Sequence, residues 1–152
     1  MDRRVPRAQG KVMSLPPFHL AFPVDDLAAA RRFYGELLGC PEGRSAERWV
    51  DFNLHGHQIV AHLAPEAALR RAANPVDSEH VPVPHFGLVL AMKDWKALAE
   101  RLKGARVDFV IPPTVRFEGR PGEQATMFLL DPAGNAHEFK AMANAEHLFA
   151  KE

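Results

Sequence analysis

Two stretches of this chain, Phe18-His19-Leu20-Ala21-Phe22 and Pro84-His85-Phe86-Gly87-Leu88, carry the same alternation 66 positions apart, each ahead of an amphipathic helix and further strands. In the first, Phe18, Leu20, Phe22 and Val24 share one face and His19 and Ala21 the other; in the second, Phe86, Leu88 and Leu90 oppose His85 and Gly87. An internal repeat of two constrains the fold more than any local propensity does. In each unit the helix covers the apolar face of its strands, so the other face is left open or covered by something else.

The chain divides accordingly. Residues 1–15 are charged and read as a frayed N-terminus, 16–65 as the first unit, 66–82 as a linker, 83–143 as the second unit and 144–152 as a tail. In the first unit Asp25 or Asp26 caps a helix through Leu38, with an apolar stripe of Leu27, Ala30, Phe33, Tyr34, Leu37 and Leu38 and a stop at Gly39. Arg48–Leu54 and Gln58–Leu63, joined at His55-Gly56-His57, read as a hairpin. The linker has weak pattern and room for one helical turn at Glu66–Ala72. The second unit repeats the plan: a helix from about Asp94 to Gly104, a strand over Val107–Ile111, a long loop over Pro112–Gly122, and strands over Gln124–Leu130 and Ala136–Met142. These last two are joined by Asp131-Pro132-Ala133-Gly134-Asn135, where Pro132 presets φ and Gly134 and Asn135 tolerate the left-handed region. The fold class expected is α+β, one domain of two β-α-β-β(-β) units.

Composition narrows the partners. With 152 residues, 47% apolar, the chain suffices for one ordinary core. Lys plus Arg and Asp plus Glu balance at 19 each, so no net field recruits nucleic acid or an anionic membrane, and a small molecule is the expected ligand. Cys40 is the only cysteine, which rules out an internal disulfide or a thiolate cluster. There is no apolar h-region at the N-terminus and no run long enough to span a bilayer, which reads as a cytoplasmic, soluble protein.

Small neighbours beside His19 and His85 leave room for a ligand. A lone strand histidine is usually a surface residue, but two at equivalent positions of a repeat are harder to dismiss. Alternation puts Glu138 in the second arm of the closing hairpin, facing away from His137 and Phe139. If the two sheets curve toward each other, His19, His85 and Glu138 converge, and two imidazoles with one carboxylate leave coordination positions open. That set suits Fe(II) and also accommodates Mn, Ni, Co or Zn.

The two histidine openings, with Asp131-Pro132-x-Gly134-Asn135-x-x-Glu138-Phe139, resemble the vicinal oxygen chelate superfamily of glyoxalase I, extradiol dioxygenases, fosfomycin-resistance transferases and bleomycin-resistance proteins. The likeness covers Pro16 to Ala143. Within that superfamily, Phe18 to Pro23, Gly56 to Leu63 and Arg116 to Gln124 are similar to a small bacterial group labelled as predicted extradiol-type dioxygenases. The resemblance implies paired βαβββ modules forming a curved mixed sheet around a metal site, with His19, His85 and Glu138 as ligands. Two-module members of the superfamily often pair so that each site is shared between chains, longer ones complete it within one chain, and this sequence permits either; a homodimer is expected because an open, curved sheet with exposed edges favours pairing.

Glyoxalase I draws a fourth ligand, Glu or Gln, from the strand that here reads Gln58 to His62, and the alignment puts Ala61 or His62 at that place. His62 shares a face with Gln58 and Val60 and should look toward the same cavity as His19, as a fourth ligand, an acid/base or a core histidine. Arg116, Arg120 and Glu123 precede the ligand hairpin in a Pro/Gly-rich loop able to close on a substrate carboxylate. A three-ligand set without a fourth carboxylate resembles an Fe(II) extradiol-type dioxygenase acting on a catechol-like substrate, with His62 moving the substrate proton. The alternatives are a glyoxalase-type lyase or isomerase, and a ligand-sequestering protein of the bleomycin-resistance type.

Overall fold

The computed structural model describes residues 15–67, 72–76 and 79–151; the expected frayed N-terminus lies, but for its last residue, outside them. Strand β1 (His19–Val24) leads into helix α1, which starts as Leu27–Ala30 and continues as a π-helix over Arg31–Leu37. Asp26 caps it, its carboxylate accepting from the Ala29 amide at 3.0 Å. The wider π turn lets the consecutive Phe33 and Tyr34 both enter the core. Gly39, at φ +73°, then ends the helix.

Strands β2 (Glu42–Ala46), β3 (Trp49–Leu54) and β4 (His57–Leu63) complete a four-stranded sheet of order β1-β4-β3-β2, with β1 parallel to β4. Next come β5 (Ala72–Val76) and β6 (Glu79–Val83), then β7 (His85–Val89), helix α2 (Met92–Gly104), β8 (Phe109–Arg116), β9 (Gln124–Leu130) and β10 (Ala136–Met142). The second sheet has order β7-β10-β9-β8, again with its outer pair parallel, so the two βαβββ modules share one topology. Where the weak pattern of 66–82 suggested a linker, β5 and β6 pair as a hairpin, and Val81 packs on Ile111 and Phe128. The helical turn suggested at Glu66–Ala72 is not seen where the chain is described: 68–71 lie outside the described residues, and Ala72 opens β5.

The apolar faces of both sheets and both helices meet in one core that joins Phe22, Phe52 and Ile59 to Trp95, Met127 and Phe139. A buried polar cluster pins the modules together there. Tyr34 Oη donates to Asp131 Oδ2 at 2.7 Å and lies 2.8 Å from His137 Nε2. Burial, followed by the Asp131 carboxylate, pushes the Tyr34 hydroxyl well above its ordinary value, so its one proton stays and goes to Asp131. His137 must then donate Nε2–H to Tyr34 Oη, which fixes it as the neutral Nε2–H tautomer. Asn135 adds Nδ2–H bonds of 2.8 Å to Asp131 Oδ2 and to the Pro23 carbonyl. Tyr34→Phe leaves Asp131 and His137 each short of a partner in a dry interior, and should cost about 2 kcal/mol in urea unfolding with the m-value unchanged.

Candidate functional site

The ligand face of the second sheet is set by register. Gly87 pairs with Glu138 across β7 and β10, and Phe128 pairs with Glu138 across β9 and β10. His85 Nε2 lies 3.0 Å from Glu138 Oε2, and Thr126 donates its hydroxyl to Glu138 Oε1 at 2.9 Å. His85 Nδ1 is 2.7 Å from the Pro82 carbonyl, an acceptor only, so Nδ1 holds the proton and Nε2 faces the carboxylate. Two lone pairs cannot face each other at that distance unaided; the pair requires a cation between them, a proton or a metal. Accordingly, the hydrogen bond to Glu138 pushes His85 above its ordinary pKa despite the opposing effect of burial. Burial raises the Glu138 carboxyl, but hydrogen bonds from His85 and Thr126 outweigh it and leave it below the ordinary value.

The first sheet repeats the device. His19 Nδ1 is 2.8 Å from Gln58 Oε1, and the Gln58 amide donates in turn to Asp51 Oδ2 at 2.9 Å. That orientation of the amide makes His19 Nδ1 the donor and leaves Nε2 as an exposed lone pair. Both imidazoles are thus held in the tautomer a metal takes, as the donor chemistry of such a site demands.

His19 and the His85–Glu138 pair do not meet: among the described residues no three His, Cys, Asp or Glu side chains gather as a metal site. Of the two arrangements the sequence permits, a site within one chain or one shared between chains, packing disfavours the first. Both sheets spend their apolar faces on the shared core, which turns the histidine faces away from it.

Gly87 lines the cavity beside His85 and Glu138 and also admits the backbone of β10, since a Cβ there would sit 1.6 Å from the Glu138 carbonyl oxygen. Several expectations are corrected. Matching the two registers, Ala21 pairs with Val60 as Gly87 pairs with Glu138, so Val60, rather than Ala61 or His62, holds the place of the fourth ligand. His62 lies two residues beyond it, exposed, on the face of His19. Arg116 belongs to the end of β8 instead of a loop, and it is only 6% exposed. Arg120 is exposed in the loop that follows, and Glu123 accepts from the Gly119 amide at 3.0 Å, which braces that loop. Cys40 is buried, and burial pushes its thiol up to about 11, consistent with a packing role.

Thr126 and Lys140 were not singled out in the sequence, although the closing turn fixes them: it pairs Thr126 with Lys140, one step from Glu138. His85 forms part of the lining of two cavities. One, of about 190 Å³, also holds Glu138 and Lys140; the other, about 250 Å³ and mostly apolar, runs along Leu20, Phe22, Pro84 and Phe86.

The family model of the Glyoxalase/Bleomycin resistance protein/Dioxygenase superfamily matches residues 17–139. A solved structure described as a glyoxalase/bleomycin resistance protein/dioxygenase from Alicyclobacillus acidocaldarius is 30% identical, with 88% of this chain and 96% of that chain covered and a TM-score of 0.75. A genomically encoded fosfomycin resistance protein from Listeria monocytogenes is 19% identical over 89% and 98% of the two chains, TM-score 0.64. A lactoylglutathione lyase from Agrobacterium tumefaciens is 19% identical over 91% and 99%, TM-score 0.61. The last two likenesses concern the fold alone. No curated protein sequence matches.

Proposed function

The chain belongs to the Glyoxalase/Bleomycin resistance protein/Dioxygenase superfamily, and from that premise we propose that it is a divalent-metal enzyme whose ligands are His19, His85 and Glu138. The observation that carries the reading is the paired tautomer: in both modules Nδ1 is committed to an acceptor and Nε2 is presented, in one case to a carboxylate held ionised. Because the two faces point apart, His19 of one copy would complete the His85–Glu138 half-site of another, giving a homodimer with two shared sites.

We assign oxygen-dependent cleavage of a catechol-like substrate, with Fe(II) as the metal. What supports this is a donor set of two imidazoles and one carboxylate, since Val60 supplies no fourth ligand. The metal would supply Lewis acidity toward two adjacent substrate oxygens and a one-electron route for O₂. Thr126 and the half-buried Glu138 carboxylate fix one side of the site, and the cavity at His85, Glu138 and Lys140 admits the substrate. His62 arrives on the same face as His19 and would accept the substrate's hydroxyl proton. That exposed base also favours a second reading, a lyase or isomerase that moves a proton between adjacent carbons.

Emission spectroscopy on anaerobically reconstituted protein should find about one ion per chain, absent in His19→Ala, His85→Ala and Glu138→Ala. Mixing unfolded His19→Ala and Glu138→Ala chains and refolding them together should restore about a quarter of the sites, because half of random pairs are mixed and each mixed pair has one intact site. Full metal in every single variant would sink the ligand assignment, and a mixture that stays empty would sink the sharing. Oxygen uptake with catechols supports the dioxygenase; no uptake, with Ni- or Zn-supported turnover of a hemithioacetal, selects the lyase.

A further inference from the structure

Arg116 is a buried cation without a counter-charge among the described residues. Its Nε and Nη2 atoms are out of solvent and have no hydrogen-bond partner among the described residues, and no carboxylate there pairs with it. These two N–H groups lie along one edge of the guanidinium, the fork that matches the two oxygens of a carboxylate. Leaving such a charge unpaired in the interior costs several kcal/mol. The Phe128 ring, 5.8 Å from the guanidinium carbon, offsets only part of that. Gln124, its cross-strand neighbour, carries an equally unbonded Oε1 but no charge.

Position links this residue to the metal pair. Arg116 and His85 share the Phe128 ring as a neighbour, its centroid lying 5.8 Å from the guanidinium carbon and 5.0 Å from the imidazole centroid. Lys140, another cation without an ion pair among the described residues, shares this face and lines the cavity with His85 and Glu138. With a divalent ion bound at His85 and Glu138, the Glu138 carboxylate would be the one negative side chain beside that ion and Lys140, with Arg116 on the same sheet face. A substrate that brought only two chelating oxygens would leave this face with excess positive charge.

We propose that the substrate carries a carboxylate besides its chelating oxygens, and that Arg116, which shares the Phe128 ring with His85, binds it. This specifies the substrate class of the site assigned above and rests on that assignment. The test is an anaerobic titration of Co(II)-loaded protein, read by its visible spectrum, with catechol and with 3,4-dihydroxybenzoate, 3,4-dihydroxyphenylacetate and 3,4-dihydroxyphenylpropionate. At least one acid should bind wild type ten-fold or more tightly than catechol, and Arg116→Met should remove that gain while leaving catechol affinity in place. Arg116→Lys, which keeps the charge but not the fork, should retain only part of it. Acids that bind no better than catechol, or a gain that survives Arg116→Met, would overturn the proposal. If catechol itself leaves the Co(II) spectrum unchanged, the metal reading has failed and melting of metal-free protein decides the carboxylate site. A benzoate-dependent rise in Tm that Arg116→Met abolishes supports it, and no rise overturns it.

Discussion

Gly87→Ala should lower the stability of the fold by roughly 4 kcal/mol or more, at the exceptional end for one added methyl. The new Cβ would lie 1.6 Å from the Glu138 carbonyl oxygen and 2.6 Å from its carbon, and both are backbone atoms of the neighbouring parallel strand. No rotamer relieves that contact; β7 and β10 must separate. Any variant that folds by such a shift would carry Glu138 away from His85, so metal affinity should drop together with the urea midpoint. Gly104→Ala is the matched control, because a Cβ there meets nothing within 4 Å and the residue ends α2. It should be neutral or gain up to about 1 kcal/mol. Equal midpoints for the two variants would show that β7 and β10 are not packed as described.

Acid should weaken the protein through His137. This imidazole is fully buried and has no carboxylate bonded to it among the described residues, and burial pushes its pKa down to about 3. Its Nε2 is committed to Tyr34, and Nδ1 has no partner among the described residues with which a second proton could bond. In the unfolded chain the same side chain takes up its proton near pH 6.5. As pH falls below that value the unfolded state binds the proton and the folded state does not, so stability declines through the window from about 6.5 to about 3. At pH 5 the loss from this residue is about 2 kcal/mol. His137→Gln keeps an N–H for Tyr34 and cannot titrate. Its urea midpoint should therefore change less than wild type between pH 7.5 and pH 5. Parallel changes in the two proteins would assign the acid sensitivity elsewhere.

The elements that the sequence revealed are those whose burial pattern is local. β1 and β7 show because large and small residues alternate, and the β9–β10 hairpin shows because Pro132, Gly134 and Asn135 write its turn. β2 was missed because all five of its residues are exposed, so no apolar alternation marks it. β8 runs through Pro112-Pro113, which reads as a loop; it is an edge strand, where a missing N–H is tolerated. The β5–β6 hairpin contains Pro75 and Pro82, and the one apolar contact described for it, Val81 on Ile111 and Phe128, is made with residues distant in sequence. For the proposed ligands, the repeat pointed to His19 and His85 and the closing turn to Glu138, without placing the three relative to one another. That depended on which sheet faces share a core, a matter of contacts such as Tyr34 with His137, 103 positions apart. The burial of Arg116 escaped for the same reason.

The amide of Asn135 bonds to the Pro23 carbonyl, so the start of the strand carrying Glu138 is fastened to the end of the strand carrying His19. With Tyr34 reaching Asp131 and His137 beside that bond, the two modules have no joint at which to turn. The span between the two histidine-bearing surfaces of a chain is therefore a fixed dimension, as in a gauge block. Anything assembled against both surfaces must be cut to that length.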